Sequence, residues 1–140
     1  MERKDLLLDQ IEQVGRALSN VLANFLGTGT LGYIEIRTET AITQLRTEVG
    51  VDLSSLFELG TDELMTKLTN SGFDHKRIEQ FGDLLASMVE PNAECADTRR
   101  RQMLDLALKL YGLAGSISST YSMERNEKEI NVQRLIEACS

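Results

Sequence analysis

Residues 27–32 read Gly-Thr-Gly-Thr-Leu-Gly, a G-x-G-x-x-G spacing of the kind that binds phosphate groups. In a dinucleotide-binding fold this motif follows a strand and opens a helix, so that the phosphate meets free backbone N–H groups. Here the motif follows about twenty residues with helical periodicity, and the end of a helix offers carbonyl oxygens, which repel phosphate. The spacing also resembles a protein-kinase glycine loop, but the other kinase motifs are absent from the sequence. We therefore interpret the glycines as a helix end and a flexible turn between two helices.

The other side chains that could do chemistry are few. His75 is the only histidine, which excludes metal sites with two or three histidines, and no G-x-S-x-G motif supplies a nucleophile. Cys95 and Cys139 are too few and too far apart for a metal motif or a disulfide framework. The pattern favours free thiols in a reducing compartment and leaves a single bridge open. Cys95, in the first turn of a predicted helix, is the better redox candidate. We predict no catalytic, cofactor-binding or metal-binding residue, and no enzyme.

The composition indicates one soluble helical domain spanning residues 1–140. Hydrophobic residues make up 41% and charged residues 26%, which are ordinary values for a globular protein. A single proline, no tryptophan and few aromatic residues favour helices over a sheet. The net charge of −7 repels phosphate backbones and so disfavours a nucleic-acid partner. The basic run Arg99–Arg101 has Asp97 and Asp105 four residues on either side of Arg101, which predicts an exposed helix face with ion pairs.

Targeting and membrane segments are not predicted. Acidic residues interrupt any apolar signal-peptide core near the N-terminus. Residues 17–34 carry no charge, but they contain polar residues and glycines and fall short of a transmembrane span. We predict a cytoplasmic protein without a membrane partner.

The first half of the chain reads as helices. An apolar row with a four-three spacing predicts one long helix; we call it the α1 seam, and it consists of Leu7, Ile11, Val14, Leu18, Val21 and Phe25. Residues 33–49 are ambiguous, because Ile34 and Ile36 alternate among threonines as in a strand. A helical apolar face that ends at Gly50 and the lack of a partner strand favour a helix.

The sequence of the second half of the chain predicts further helices. Asp52 and Thr61 cap two short ones, and Asn70-Ser71-Gly72 closes the second. Asp74 opens a helix that Pro91 ends. A long helix from about 93 to about 121 is apolar on two sides, which is typical of a central helix, and a last helix covers 124–139. This makes six or seven helices in all.

Residues 107–117 and 129–138 resemble a tetratricopeptide-type helical hairpin. The matching positions are Tyr111, Ala114 and Gly115 in the first helix, and Leu135 and Ala138 in the second. Asn131 stands where the repeat has a small residue, and the closing proline is absent. The chain is also similar in layout to a bacterial family of tetratricopeptide-like proteins of unknown function. The resemblance implies an all-α protein whose antiparallel hairpins form a right-handed stack, with an interaction role.

We expect a protein–protein interaction or scaffold module with a protein or peptide partner. The predicted partner-binding residues are Tyr33, Arg99, Arg100 and Arg101. Self-association is a further expectation, with the α1 seam pairing with a second copy. The alternative is a small-ligand sensor or small enzyme with a pocket between helices, lined by Gly112, Gly115, Ser116 and Ser119. A regulatory partner of a DNA-binding protein is the weakest of the three interpretations.

Overall fold

A computed structural model describes residues 2–27, 34–89 and 98–138, and every regular element in those ranges is helical. The α-helices are α1 (Glu2–Gly27), α2 (Ile34–Gln44), α3 (Leu53–Leu56), α4 (Thr61–Asn70), α5 (His75–Val89), α6 (Thr98–Ser118) and α7 (Met123–Ala138). A π-helical turn (Leu45–Val49) extends α2. The predicted all-α class with six or seven helices is confirmed. The tetratricopeptide-like order of stacking stays a prediction.

Several predicted helix ends are confirmed by their backbone geometry. Gly50 has a left-handed φ of 81°, and its N–H bonds to the Leu45 carbonyl. Gly72 has a φ of 92°, and the N–H of the next residue, Phe73, reaches the Leu68 carbonyl at 3.0 Å. At the start of α5, Asp74 Oδ1 accepts a bond of 2.9 Å from the Arg77 backbone N–H. These contacts satisfy backbone groups that a helix end would otherwise leave without partners.

The threonines of the second segment lie in a helix, contrary to their strand preference. The Thr43 hydroxyl donates to the Glu39 carbonyl at 3.0 Å, and the Thr47 hydroxyl donates to the Thr43 carbonyl at 3.1 Å. Such bonds to the preceding turn satisfy a threonine hydroxyl inside a helix. The helix then widens at Leu45, a fully buried residue, into the π-helical turn, which the sequence did not predict.

The hydrophobic core lies around α6, as predicted for a helix apolar on two sides. Helix α6 packs against both α5 and α7, and α1 packs against both α2 and α5. One cluster of buried residues draws on every helix, for example Val21, Ala41, Leu53, Leu64, Phe81, Leu110 and Val132. Its largest fully buried side chain is Tyr111, in the middle of α6. The apolar periodicity of the sequence therefore identified most of the core.

From Val14 to Phe25 the α1 seam lies inside this core, and the predicted pairing of the seam with a second copy is wrong for these residues. Val14 is 6% exposed, and Leu18, Val21 and Phe25 are buried more deeply. The side chain of Leu7 lies outside the described residues. Because α5, α2 and the π-helical turn already cover Val14, Leu18, Val21 and Phe25, this part of the seam offers no free face to another chain.

The C-terminal end of α6 also differs from its prediction. The helix ends at Ser118, and Ser119 takes a left-handed φ of 56°. Tyr121, near which the helix was predicted to end, follows the helix and is 75% exposed. The residues at which this helix was predicted to begin, 93–97, lie outside the described residues, as does Pro91.

Candidate functional site

An open groove of about 610 Å³ runs between α1 and α5. It is lined by five residues of α1 and two of α5, and all but the glycine are polar: Glu12, Gly15, Arg16, Ser19, Asn20, Arg77 and Gln80. The groove lies beside the α1 seam, on the part of α1 that α5 leaves uncovered. We call it the α1/α5 groove.

The floor of the groove depends on a glycine. A Cβ atom added at Gly15 would lie 2.7 Å from Arg77 Nε, which is closer than real Cβ contacts. The missing side chain lets the Arg77 guanidinium cross α1 and donate to the Ile11 carbonyl at 3.4 Å. Gln80 Nε2 donates to the Gly15 carbonyl at 3.1 Å and to Ser19 Oγ at 2.9 Å. Polar side chains of α5 therefore bind the α1 backbone, and the open space of the groove lies above these contacts.

The charges that line the groove differ from the charge of the whole protein. Glu12 and Arg16 form an exposed ion pair with 3.7 Å between Oε2 and Nη2. Arg77 makes no ion pair with any residue in the described ranges; its guanidinium is held by the Ile11 carbonyl. Two guanidinium groups face one carboxylate, so the groove carries a net positive charge on a protein whose total is −7. A carboxylate of a partner could pair with the Arg77 guanidinium there.

A second polar cluster joins α5, α6 and α7, and we call it the interhelical network. The Lys128 ammonium lies 2.7 Å from Glu79 Oε2 and 3.1 Å from Asp83 Oδ2. The Tyr111 hydroxyl donates to Asp83 Oδ1 at 2.8 Å. Arg125 Nη1 lies 3.7 Å from Glu79 Oε1. Each charge in the network has an opposite partner, which offsets the cost of partly burying it.

The environment of the network changes two pKa values. Burial, followed by the charge and hydrogen bond of Asp83 and the charge of Glu79, raises the pKa of the Tyr111 hydroxyl far above its usual value. Burial lowers the pKa of Lys128, but its hydrogen bonds to Glu79 and Asp83 and the charges of those carboxylates outweigh this effect. The pKa of Lys128 is therefore raised overall. Both groups keep their protons at neutral pH, which is typical of a structural cross-link.

The three arginines among the predicted partner-binding residues do not line the α1/α5 groove. Tyr33 is outside the described residues. Arg99 forms an ion pair with Glu39 of α2, a contact between distant parts of the sequence that we did not predict. Arg100 is half-buried at the start of α6 and also has an interaction partner. None of the lining residues of the groove comes from this basic run.

The ion-pair prediction for the basic run is confirmed at one position. Arg101 Nε lies 3.6 Å from Asp105 Oδ1, with both side chains exposed. Asp97, the other acid that was predicted to flank Arg101, is outside the described residues. Cys95 and Cys139 are also outside them, so their predicted thiol states stay predictions.

The pocket predicted from the small residues of α6 is wrong. Gly112, Ser116 and Ser119 are exposed, and a Cβ atom at Gly112 would meet nothing within 4 Å. Gly115 alone faces another helix, because a Cβ atom added there would lie 3.3 Å from Arg125 Nε. The small residue that does shape a helix crossing is Gly82 of α5, because a Cβ atom there would lie 2.9 Å from the Tyr111 ring.

The described ranges hold neither a metal cluster nor a membrane-spanning helix. No three His, Cys, Asp or Glu residues in those ranges are grouped so that they could hold a metal ion. Within the same ranges, no helix has both the length and the apolarity that crossing a bilayer requires. His75 is the first residue of α5, directly after Asp74, which was predicted to open this helix, and it is half-buried.

Comparisons with known proteins gave no match to a protein-family model, a curated protein or a solved structure.

Proposed function

We propose that the protein is a non-catalytic interaction module that binds a peptide segment of a partner protein in the α1/α5 groove. The observation that carries this proposal is the groove itself, which is open along two helices and rich in polar groups. Its α1 wall runs from Glu12 to Asn20, about 12 Å at the helical rise per residue. An open surface of this kind suits a polypeptide segment, which extends beyond its contact region at both ends.

The ends of the groove support a partner with apolar anchors. Leu8 and Leu26 are exposed, and their spacing of five helical turns places both on the same side of α1 as Gly15. A partner segment along this side would meet one leucine at each end and Arg77 in the middle. We therefore propose a segment with an acidic centre and apolar residues on either side.

Site-specific photo-crosslinking in the host cell tests this proposal. A photoreactive amino acid is placed at Asn20, in the groove, and in a separate variant at Glu58, an exposed residue in the turn after α3. We expect a discrete crosslinked protein from Asn20 and none from Glu58. Adding Ser19→Arg, which fills the groove, should remove the product. Arg77→Glu should weaken it strongly, because an acidic segment would then meet a carboxylate.

Other outcomes count against the proposal. Equal products from Asn20 and Glu58, or a product that survives Ser19→Arg, would place the partner elsewhere on the surface. Circular dichroism and the unfolding midpoint of each variant show whether the fold is retained. Ser19 is exposed, so its replacement should leave the core unchanged.

A further inference from the structure

The outer face of α7 is a row of exposed residues that no other described helix covers. Helix α7 buries Val132 and Arg125 against the rest of the chain. On the opposite side, with a spacing of four, three and four residues, lie Met123, Glu127, Ile130 and Arg134. We call this row the α7 outer face. It is a separate surface from the α1/α5 groove.

Two of the four residues are large and apolar. Met123 is 70% exposed and Ile130 is 41% exposed. Single exposed apolar residues are common on protein surfaces, but these two share one helix face at a seven-residue spacing. A seven-residue apolar spacing is the pattern by which one helix packs lengthwise against another.

The two charged residues of the face complement each other across a two-fold axis. Glu127 lies three residues before Ile130, and Arg134 lies four residues after it. Neither forms an ion pair with any residue that the structure describes. If a second α7 crosses the first at Ile130 in the antiparallel direction, Glu127 faces Arg134 of the second copy, and Arg134 faces Glu127. A parallel arrangement would instead place like charges opposite each other.

We propose that the α7 outer face binds a second copy of this chain in an antiparallel, two-fold arrangement. Ile130 packs against its own counterpart at the axis, and the two ion pairs lie on either side of it. Two-fold pairing of one surface with itself is the commonest form of homo-oligomer. The uncharged Asn126, Asn131 and Gln133 border the face. The exposed Glu137, three residues after Arg134, continues the row and lies opposite Met123 of the second copy in this arrangement.

The size of the face determines how strong this dimer is. Helix α7 has 16 residues, which corresponds to a length of about 24 Å. A stable interface buries about 800 Å² on each partner, and one helix face supplies less than that. The dimer is therefore weak and dissociates on dilution. The concentration range in which it forms is about 10 μM to 1 mM.

Charge-swap variants test the arrangement by sedimentation velocity over this range. Glu127→Arg gives a face with two basic residues, and Arg134→Glu gives a face with two acidic residues. We expect each single variant to dimerise at least tenfold more weakly than the unaltered protein. An equimolar mixture of the two variants should regain a dimer, because both ion pairs then form between unlike chains. The double variant E127R/R134E should also dimerise, since it restores both pairs in reverse.

Glu58→Arg is the matched control, because it makes the same change in net charge as Glu127→Arg on an exposed residue elsewhere. It should dimerise as the unaltered protein does. A third variant, Ile130→Lys, should be monomeric throughout the range. The proposal is overturned if the unaltered protein stays monomeric up to 1 mM, about the upper limit for such a small interface. It is equally overturned if a dimer forms that is indifferent to the single swaps, or if the mixture of single variants stays monomeric.

Discussion

At the scale of single residues, the packing of Gly82 against Tyr111 yields a direct prediction. Gly82→Ala should lower the free energy of unfolding by about 1 kcal/mol or more. The added Cβ would lie 2.9 Å from the ring of a fully buried tyrosine, whose hydroxyl is also held by Asp83. Overpacking of this kind costs about 1–3 kcal/mol, and the better helix propensity of alanine offsets up to about 1 kcal/mol.

Gly112→Ala is the matched control, on the exposed side of the neighbouring helix. Because no atom lies within 4 Å of the added Cβ, only the helix propensity changes. We expect the free energy of unfolding to rise by about 0.5–1 kcal/mol. Urea unfolding of both variants measures the difference. Shifts of the same sign would show that the Tyr111 ring moves aside without cost.

The same two glycines show what the sequence could predict at this scale. Apolar periodicity predicted the row in the α1 seam from Val14 to Phe25, which is buried, because burial follows from the spacing of apolar residues along one helix. It could not distinguish Gly82 from Gly112. Whether a glycine packs closely against another helix depends on which residue of that helix lies opposite it. The α1/α5 groove was missed for the same reason. Arg77 and the Ile11 carbonyl are 66 residues apart, so no local pattern connects them.

At the scale of elements, the contacts of Arg125 tie the start of α7 to the end of α6. Its backbone N–H is capped by Ser122 Oγ at 3.1 Å, and its Nη2 donates to the Thr120 carbonyl at 2.7 Å. The side chain passes over Gly115 and is 8% exposed as a whole residue. This arginine therefore holds the turn between the two helices as well as the interhelical network.

Arg125→Ala should lower the free energy of unfolding by about 2–3 kcal/mol, because it removes a buried side chain together with its hydrogen bond to the Thr120 carbonyl and its ion pair with Glu79. Arg101→Ala serves as the control, since the exposed pair with Asp105 is worth at most about 1 kcal/mol. Thermal or urea unfolding of the two variants gives the comparison. A loss as small as that of the control would mean that water replaces the guanidinium at no cost.

Helix existence was more predictable than helix detail. The sequence predicted a helix over residues 33–49 because a lone strand would have no partner, and the structure agrees for residues 34–49. The π-helical turn was not predicted, because it depends on how Leu45 fits the core and not on local propensity. Helix α6 ends at Ser118, three residues before the predicted end near 121, because the chain turns there to pack α7.

At the scale of the whole molecule, the interhelical network makes stability depend on alkaline pH. The pKa values of Tyr111 and Lys128 are both raised in the folded protein. Each group therefore holds its proton more tightly in the folded than in the unfolded chain. Above the usual tyrosine pKa of about 10, the unfolded chain binds fewer protons than the folded one, so the free energy of unfolding falls as pH rises.

Tyr111→Phe separates the tyrosine contribution from the rest of this dependence. At neutral pH the variant should be less stable, since the hydrogen bond to Asp83 is lost, by about 1 kcal/mol. Between about pH 9 and pH 11, its stability should fall less steeply than that of the unaltered protein, because only Lys128 of the two raised groups remains. Tyr121→Phe, at an exposed tyrosine, should keep the original slope. Urea unfolding at successive pH values measures all three proteins. Equal slopes for all three proteins would mean that the Tyr111 hydroxyl loses its proton as readily in the folded as in the unfolded chain. The hydrogen bond from Tyr111 to Asp83 would then contribute nothing to the pH dependence of stability.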